Sequence, residues 1–475
     1  MAGTKLQEGQ SGPPTLQSTH SYWHKNPSTV LQGHRTTSKL PPAADVVVIG
    51  TGITGAFAAR ELMTGGRSVL HLEAREACWG ATGRNGGHCQ PMVYSSKPSV
   101  ARFELGTYHF LKAFVAKNNI SCDWHTVGGV HALFDDKAFG LVEKVIQRLK
   151  LEHPDLAQHA ILVKGEKERG VLRIPAAVGA VYQPNAAKLW PYKLVAWVLE
   201  KLLQEYPASR YNLQTNTAVE HLQHTGDGGW VVHTPRGQVV AKHVLLASNA
   251  YTSYLLPQFT GIITPVRGQV AGLTPPTGDI PLEHTHVWVQ GNGTDDYLIQ
   301  RDDDGFLILG GERFSTAGAE EGIWDDGQVN DEIGAKLRSQ LQHSVKLRGP
   351  DCAEEEELDA QYEWTGIMGY AKDHYPWVGR VPPSLGGTRD DGDDDDEDEE
   401  GARSHLWISA GYTGHGMPTA ARCGIRVAEM ILGREPTFDM PVEFLASEER
   451  ARRTKDAKTT IRRSLMDELN ALLDD

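Results

Sequence analysis

The chain has 475 residues, of which 40% are hydrophobic, and its formal net charge is −14 at pH 7. Ten acidic residues within 390–400 account for most of that charge, and the remaining −4 argues against nucleic acid as a partner. The length predicts two or more domains, or one large core with insertions. No run of 18 apolar residues is present, so no transmembrane helix is expected.

The first 44 residues are polar and rich in Ser, Thr, Gln and Pro, which predicts an N-terminal arm that is partly disordered. The opening segment MAGTKLQEGQ lacks the apolar stretch of a secretory signal. Five scattered cysteines without a CxxC pair favour reduced thiols and a cytoplasmic protein. The 20 histidines show no metal-ligand spacing, so no metal site is predicted.

A β-branched run at 45–49 predicts a buried parallel strand, and the glycine turn GTGITG follows it at once. Gly50 permits the tight turn, Gly52 lets the backbone approach a pyrophosphate, and Gly55 lets the next helix pack closely on the strand. Residues 56–63 continue as that helix, whose N-terminus directs free N–H groups at the phosphates. This order is typical of dinucleotide binding.

Residues 68–72 predict a second strand, and Glu73 closes it 23 positions after Gly50. A carboxylate at this spacing accepts hydrogen bonds from ribose hydroxyls and repels a 2′-phosphate. NADP is therefore not expected, whereas NAD and FAD both remain open on these residues alone.

A second loop of small residues, ATGRNGGH at 81–88, lies just past the acid. A nicotinamide-binding domain has no need of such a loop at this point. The isoalloxazine ring of FAD, in contrast, must be met by closely approaching backbone. The loop therefore favours a flavin.

The segment WGATGRNGGH at 79–88 resembles the FAD-dependent oxidoreductases of the D-amino-acid oxidase type, which include sarcosine oxidase and glycine oxidase. It is most similar to the branch containing gamma-glutamylputrescine oxidase, with His88 in place of the usual Gln. Further motifs extend the resemblance over roughly residues 20–440, namely SYW at 21–23, TAV at 217–219, VVAKHVLLASNA at 239–250, ITPVRGQ at 263–269, WTGIMG at 364–369, PWVGR at 376–380 and the strand–loop–helix at 406–433.

The resemblance implies an α/β fold in which a Rossmann-like FAD-binding domain is interleaved with an antiparallel-sheet substrate domain. The expected segments are 45–125, 208–262 and 362–440 for the FAD-binding domain, 126–207 and 263–361 for the substrate domain, 387–403 for an acidic disordered loop, and 441–475 for a helical tail on the surface.

Local patterns within these segments predict hairpins at 229–240 and 297–310 and an amphipathic helix at 193–205. An apolar strand at 406–410 leads into a glycine loop, and Pro418 then opens the last helix. The N-terminus of that helix is expected to direct its dipole at the N1–C2=O edge of the flavin.

FAD is expected to bind without a covalent bond, because no cysteine is suitably placed and Cys423 falls within the last helix. Together, the motifs and the resemblance give the residues expected to bind it: Gly50, Gly52, Ile53, Thr54, Gly55, Glu73, Ala74, Arg75, Ala81, Thr82, Gly83, Arg84, Asn85, Gly86, Gly87, Val219, Ala247, Gly414, Gly416 and Met417.

Two histidines are candidates for a catalytic role beside the flavin ring. His415 lies in the last glycine loop, where an imidazole favours the anionic reduced flavin or meets the substrate; the alternative is that only the backbone matters there. His88 lies where the second glycine loop is expected to pass the ring.

Four residues are candidates for the substrate pocket. Trp364 and Met368 would form its walls, with an ordinary core position as the alternative for each. Arg267 would bind a substrate carboxylate, with an internal salt bridge as its alternative. Tyr412 would donate a hydrogen bond near the site.

The activity that the resemblance implies is oxidation of the C–N bond of an amine or amino acid to an imine, with O₂ reoxidising the flavin to give H₂O₂. Sarcosine oxidase has a lysine in a strand that corresponds to 306–310, where this chain has none. Two alternatives therefore stay open: a dehydrogenase that uses another electron acceptor, and a flavin-binding protein without turnover.

Overall fold

The computed structural model describes residues 6–226, 228–290, 294–349, 351–388, 405–457 and 465–474. The acidic loop expected at 387–403 lies outside these residues apart from its first two positions. Within the described ranges, no helix combines the length and the apolar character needed to span a membrane.

Two eight-stranded sheets and one small sheet carry the described fold. In chain order the strands are β1 (Ala43–Ile49), β2 (Val69–Leu72), β3 (His88–Cys89), β4 (His125–Thr126), β5 (Gly129–Leu133), β6 (Ile161–Val163), β7 (Gly179–Gln183), β8 (Ala187–Lys188), β9 (Tyr211–Gln214), β10 (His221–His224), β11 (Trp230–Thr234), β12 (Gly237–Leu246), β13 (Ile263–Leu273), β14 (Thr285–Gln290), β15 (Thr294–Gln300), β16 (Leu307–Gly311), β17 (Ala360–Ala371), β18 (Trp377–Arg380) and β19 (Leu406–Ala410).

The α-helices pack on these sheets and around their edges. In chain order they are α1 (Ile53–Thr64), α2 (Pro98–Asn118), α3 (Asp136–Glu152), α4 (Pro154–Ala157), α5 (Glu166–Val171), α6 (Pro191–Glu205), α7 (Thr252–Leu255), α8 (Asp331–Ser339), α9 (Leu341–Ser344), α10 (Ala420–Leu432), α11 (Glu448–Asp456) and α12 (Leu465–Asp474).

The first sheet, which we call the nucleotide sheet, is parallel at its centre in the order β9-β2-β1-β12-β19. Strands β10, β11 and β18 extend it with antiparallel pairs. Val46, Val47 and Val48 are all fully buried. Val46 and Val48 pack in one hydrophobic cluster with residues of α1, and Val47 packs in a second cluster, so both faces of the sheet are covered. Helices α1 and α10 pack on each other beside it.

The second sheet, which we call the substrate sheet, has the order β17-β13-β16-β15-β14-β5-β7-β6. Its pairs are antiparallel except for β14 with β5. Strand β13 pairs with β17 from Ile263 opposite Ala371 to Leu273 opposite Ala360. The chain therefore returns to the nucleotide sheet after Ala371, whereas the sequence placed that boundary at residue 362.

The expected α/β architecture is present, and the local predictions agree with it. Strands β11 and β12 form one predicted hairpin and β15 and β16 form the other. The helix expected at 193–205 is α6, which begins two residues earlier at Pro191, a residue suited to the first turn of a helix.

The N-terminal arm is packed against the rest of the molecule over its described part. Ser11 is buried and its N–H donates to the Ser253 hydroxyl at 2.9 Å. Tyr22 and Trp23 are fully buried, with rings 5.5 and 5.7 Å from that of Trp190. The polar arm is therefore packed over its described part, because it finds partners in distant segments.

The C-terminal tail contains two helices that differ in their surroundings. Helix α11 is anchored by Arg450, whose guanidinium lies 2.8 Å from Asp373 and donates to the carbonyls of Tyr375 and Pro376. Helix α12 packs on α3, with Leu465 and Leu469 buried. The expected surface helix is therefore partly enclosed.

Candidate active site

A cavity of about 790 Å³ is lined by residues of both large sheets and of the loops beside them. Five residues of the predicted site do not reach its wall: Gly55, Gly83, Gly87, Arg267 and Trp364. The others line it: Gly50, Gly52, Ile53, Thr54, Glu73, Ala74, Arg75, Ala81, Thr82, Arg84, Asn85, Gly86, His88, Val219, Ala247, Met368, Tyr412, Gly414, His415, Gly416 and Met417.

The glycine turn between β1 and α1 forms one end of the cavity. Gly50 has a φ of +106°, and a Cβ there would meet the carbonyl oxygen of Ala247 at 2.6 Å, so glycine is required. A Cβ at Gly55 would lie 1.9 Å from the Gly50 oxygen, which explains that glycine by close helix–strand contact. Gly52 is the N-cap of α1, where backbone N–H groups have no partner within the helix.

The carboxylate of Glu73 lies at the same end of the cavity, directly after β2. Its Oε2 accepts from the N–H and the hydroxyl of Thr51 at 3.0 and 2.7 Å, and its Oε1 accepts from the Arg75 N–H at 3.0 Å. Thr51 also lines the cavity. Sequence reasoning did not select Thr51, because the glycine pattern leaves that position open.

The second glycine loop is wedged between aromatic rings. A Cβ at Gly86 would lie 2.0 Å from the ring of Tyr297, and one at Gly87, whose φ is +74°, would lie 2.7 Å from the ring of Trp23. Thr82 Oγ1 accepts from the first N–H of α1 at 3.1 Å, which ties this loop to the glycine turn. These glycines therefore allow the backbone to approach both the rings and the cavity.

One buried carboxylate, that of Asp326, holds two arginines of the predicted set. Arg75 Nη1 lies 2.8 Å from Oδ1, and Arg84 Nε lies 3.3 Å from Oδ2. Arg84 Nε also donates to the Thr365 carbonyl at 2.7 Å, and burial lowers the pKa of Arg84 to about 10. Nη1 of Arg84 is buried and has no hydrogen-bond partner among the described residues.

The loop at 411–419 joins β19 to α10 and lines the cavity. Gly411 and Gly414 have φ values of +83° and +76°, where glycine is favoured, and Thr413 adopts +51°. The sequence placed the start of α10 at Pro418, and the helix begins two residues later at Ala420. The loop thus brings its backbone and one histidine to the cavity wall.

The sequence matches the family model described as FAD dependent oxidoreductase over residues 45–430. The protein belongs to this family. The match spans both large sheets, so it confirms the flavin that the two glycine loops predicted. It ends within α10, so the C-terminal tail lies outside the matched region.

Two curated relatives show what this flavoenzyme is similar to. Gamma-glutamylputrescine oxidoreductase of Escherichia coli is 25% identical over 83% of the chain and 85% of its own length. Glycine oxidase of Pseudomonas aeruginosa is 25% identical over 83% of the chain and 96% of its own length. The predicted resemblance to this group of enzymes is confirmed.

Solved structures share the fold. Glycine oxidase from Geobacillus kaustophilus aligns with a TM-score of 0.66 at 20% identity, covering 86% of this chain and 99% of its own. L-proline dehydrogenase from P. horikoshii aligns with a TM-score of 0.64 at 21% identity, covering 85% and 96%. At these identities the likeness establishes the architecture of the flavoenzyme and nothing finer.

The residues around the cavity fit FAD. The glycine turn leaves room for close approach of a ligand to backbone N–H groups, and Glu73 supplies an acceptor beside it. Two buried nitrogens of cavity-lining residues, Arg84 Nη1 and His88 Nε2, lack a partner within the described part of the chain. Buried polar atoms of this kind are usually satisfied, and a flavin between the two loops would satisfy them.

His71 supports the glycine turn from inside the nucleotide sheet and makes it sensitive to acid. Its Nε2 donates to the Gly50 carbonyl at 2.9 Å, so its Nδ1 accepts from the Tyr211 hydroxyl at 3.0 Å. Burial lowers the pKa of His71 from 6.5 to about 4. Between about pH 6.5 and pH 4 the unfolded chain therefore binds this proton more readily than the folded protein does. We expect the free energy of unfolding to be about 2 kcal/mol lower at pH 5 than at neutral pH.

Denaturant titrations of the flavoenzyme at about pH 7.5 and about pH 5 measure this effect. The variant His71→Gln should lose less unfolding free energy between the two pH values than the parent, even if its stability at neutral pH is lower. His125→Gln is the control, because that side chain is 52% exposed. An unchanged pH dependence in His71→Gln would contradict the assignment.

His88 lies on β3 and reaches the cavity wall from the substrate side. Its ring meets that of Tyr297 edge to face, with centroids 5.5 Å apart. Burial, followed by the neighbouring His131 and His286, lowers the pKa of His88 to about 3. The imidazole is therefore neutral at physiological pH and offers one donor or one acceptor to a ligand.

The distance between His415 Nε2 and Glu104 Oε2 is 3.3 Å. Glu104 is buried on α2, lines the cavity, and also accepts from the Met92 N–H at 2.7 Å. A carboxylate in this position orients the ring. Sequence reasoning did not find Glu104, because no local pattern on α2 indicates a partner 311 positions away.

The four residues predicted for the substrate pocket divide into two groups. Arg267 pairs with Glu320 at 2.5 Å, which is the internal salt bridge considered as its alternative. Trp364 is fully buried and its Nε1 donates to the Arg84 carbonyl at 2.7 Å. Met368 and Tyr412 line the cavity. The Tyr412 hydroxyl bonds to Thr54 and Ser409 at 3.0 and 2.8 Å, and burial raises its pKa.

Proposed function

We propose that this flavoenzyme oxidises the C–N bond of an amine or amino acid to an imine, which water then hydrolyses. The observation that carries the proposal is a single cavity that runs from the glycine turn to the pair formed by Glu104 and His415. Both curated relatives are named as enzymes that act on amines or amino acids, which supports the same class. When bound, FAD supplies the two-electron oxidation.

In this proposal the predicted residues that line the cavity hold FAD without a covalent bond. None of the five cysteines lines the cavity, and burial raises the pKa of the Cys423 thiol. The turn from Gly50 to Gly52 and the carboxylate of Glu73 would hold the adenine nucleotide. Arg84 and His88 would meet the remainder of the cofactor through their buried nitrogens.

We propose further that His415 acts on the proton of the substrate ammonium. In this role the imidazole held by Glu104 would take up the proton, and the neutral amine is the form ready for oxidation. His88 stays neutral and would orient the substrate or the cofactor. The alternative for His415, a contribution of its backbone alone, predicts no change when the ring is replaced.

Oxygen is the electron acceptor in the main proposal, and H₂O₂ is the product. A dehydrogenase that passes electrons to another acceptor is the second candidate. One observation favours it: β16 contains no lysine, and Lys97, the lysine among the described lining residues, is paired with Glu443 at 3.2 Å.

Anaerobic titration of the yellow holoenzyme with secondary amines, polyamine derivatives and N-methyl amino acids tests the proposal. We expect at least one class to bleach the flavin absorbance, and air then to restore it with release of peroxide. Bleaching without peroxide would favour the dehydrogenase, and a flavin that no amine bleaches would contradict catalysis. His415→Asn should slow the bleaching and shift its pH dependence.

A further inference from the structure

The N-terminal arm lies outside the family region matched at 45–430, yet it reaches the wall of the cavity. Pro13 and Pro14 line that wall; Pro13 is exposed and Pro14 is half-buried, so both rings are accessible to a ligand. Proline has a fixed φ and no backbone N–H, so this pair forms a rigid apolar surface that leaves no donor unsatisfied. The arm therefore adds a surface to the site from outside the matched region.

Hydrogen bonds hold the arm on both sides of the two prolines. Before them, the N–H of Ser11 donates to the Ser253 hydroxyl at 2.9 Å, and Nε2 of Gln10 donates to the Ser253 carbonyl at 3.1 Å. After them, the N–H and the hydroxyl of Thr19 donate to the carbonyl of Asp326 at 2.8 and 3.0 Å. The proline pair is therefore fixed in place by the protein itself.

The neighbours of the prolines belong to the nucleotide end of the cavity. The Thr15 carbonyl accepts from Nη1 of Arg75 at 3.4 Å, and the Arg75 N–H donates to the Glu73 carboxylate at 3.0 Å. On the other side, Ser253 lies on α7, and the next residue of that helix, Tyr254, also lines the cavity. The arm therefore passes along the cavity wall between α7 and the segment that follows Glu73.

We propose that the arm is part of the FAD site and that Pro13 and Pro14 pack on the adenosine half of the cofactor. Adenine and ribose have apolar faces, and covering them removes apolar surface from water. A surface that is already held in place binds without a large cost of ordering, which favours slow release of the ligand. The inference requires FAD, which the family match establishes, and it does not depend on the proposed amine oxidation.

Two variants of the holoenzyme and a matched control test the contact. Pro13→Ala/Pro14→Ala removes the ring surface, and Pro41→Ala/Pro42→Ala changes a second proline pair of the arm, which lies away from the cavity wall. Release of FAD after dilution is followed by the fluorescence of the free flavin. The first variant should release FAD about three- to tenfold faster than the parent, and the control should match the parent. Ser253→Ala keeps both rings but removes one anchor of the arm, and it should release FAD about two- to fivefold faster.

Displacement of FAD by ADP shows which half of the cofactor the arm covers, because ADP contains the adenosine but no flavin ring. With FAD in excess, the parent and Pro13→Ala/Pro14→Ala should need the same ADP concentration for half displacement, since both ligands lose the same contact. Displacement at a lower ADP concentration in the variant would overturn the inference, because the arm would then cover the flavin half. Equal release rates for the two proline variants would overturn it as well. Neither measurement uses an amine, so failure of the proposed function would leave both results interpretable.

Discussion

Replacing Gly52 with valine is expected to give a folded protein that retains no FAD. The nearest atom to a Cβ at Gly52 is the hydroxyl of Thr82, at 3.1 Å, so the protein itself can accommodate the side chain with a small shift. The valine methyl groups would instead occupy the cavity beside the N-terminus of α1. A pyrophosphate would then lose its approach to the backbone, and we expect binding at least about 100-fold weaker, or about 2.7 kcal/mol.

The measurement is the flavin content of the purified variant after incubation with excess FAD, beside its far-UV circular dichroism and thermal unfolding. Gly140→Val is the matched control, because Gly140 lies on α3 with no atom within 4 Å of its Cβ position. Near-normal flavin content in the Gly52 variant would mean that the pyrophosphate does not lie on this turn. Loss of flavin in the Gly140 variant would mean that a valine outside the cavity also removes FAD, so the effect would not be specific to the glycine turn.

The nucleotide half of the protein could be predicted because its signals are contiguous. Strand, glycine turn, helix, second strand and acid all fall within residues 45–73, and each constrains its neighbours through short-range geometry. The structure places β1, α1 and β2 within three residues of the expected bounds. The close contacts at Gly50 and Gly55 are backbone contacts of the same unit, so no distant information was needed.

The substrate half depends on pairings that no local pattern encodes. Glu104 meets His415 across 311 positions, and Arg75 meets Asp326 across 251. The motif at 364–369 was assigned with the FAD-binding domain by resemblance, and nothing in its sequence indicates the partner strand. In the structure it lies in β17, which pairs with β13 in the substrate sheet. For Arg267 the sequence allowed two roles equally, a contact with a substrate carboxylate and an internal salt bridge. The structure shows the salt bridge, because Arg267 on β13 lies beside Glu320.

Replacing Asp326 with asparagine is expected to lower the free energy of unfolding by about 3–5 kcal/mol. The carboxylate is 1% exposed and lies between Arg75 and Arg84, whose side chains are 6% and 0% exposed. An amide in its place keeps the shape but removes the charge that compensates two buried guanidinium groups. Because both arginines belong to loops that line the cavity, FAD affinity should fall in the same variant.

Denaturant titrations of parent and variant, with and without added FAD, measure both effects. Asp155→Asn is the control, because Asp155 holds Arg102 at 2.8 Å in a pair whose side chains are 54% and 46% exposed. Solvent screens such a pair, and its loss should cost about 0–1 kcal/mol. Equal losses at the two positions would mean that water reaches Asp326 and that its charge does not hold the two loops. A large loss of unfolding free energy in the Asp326 variant alone would show that this carboxylate, distant in sequence, holds the two FAD-binding loops in place.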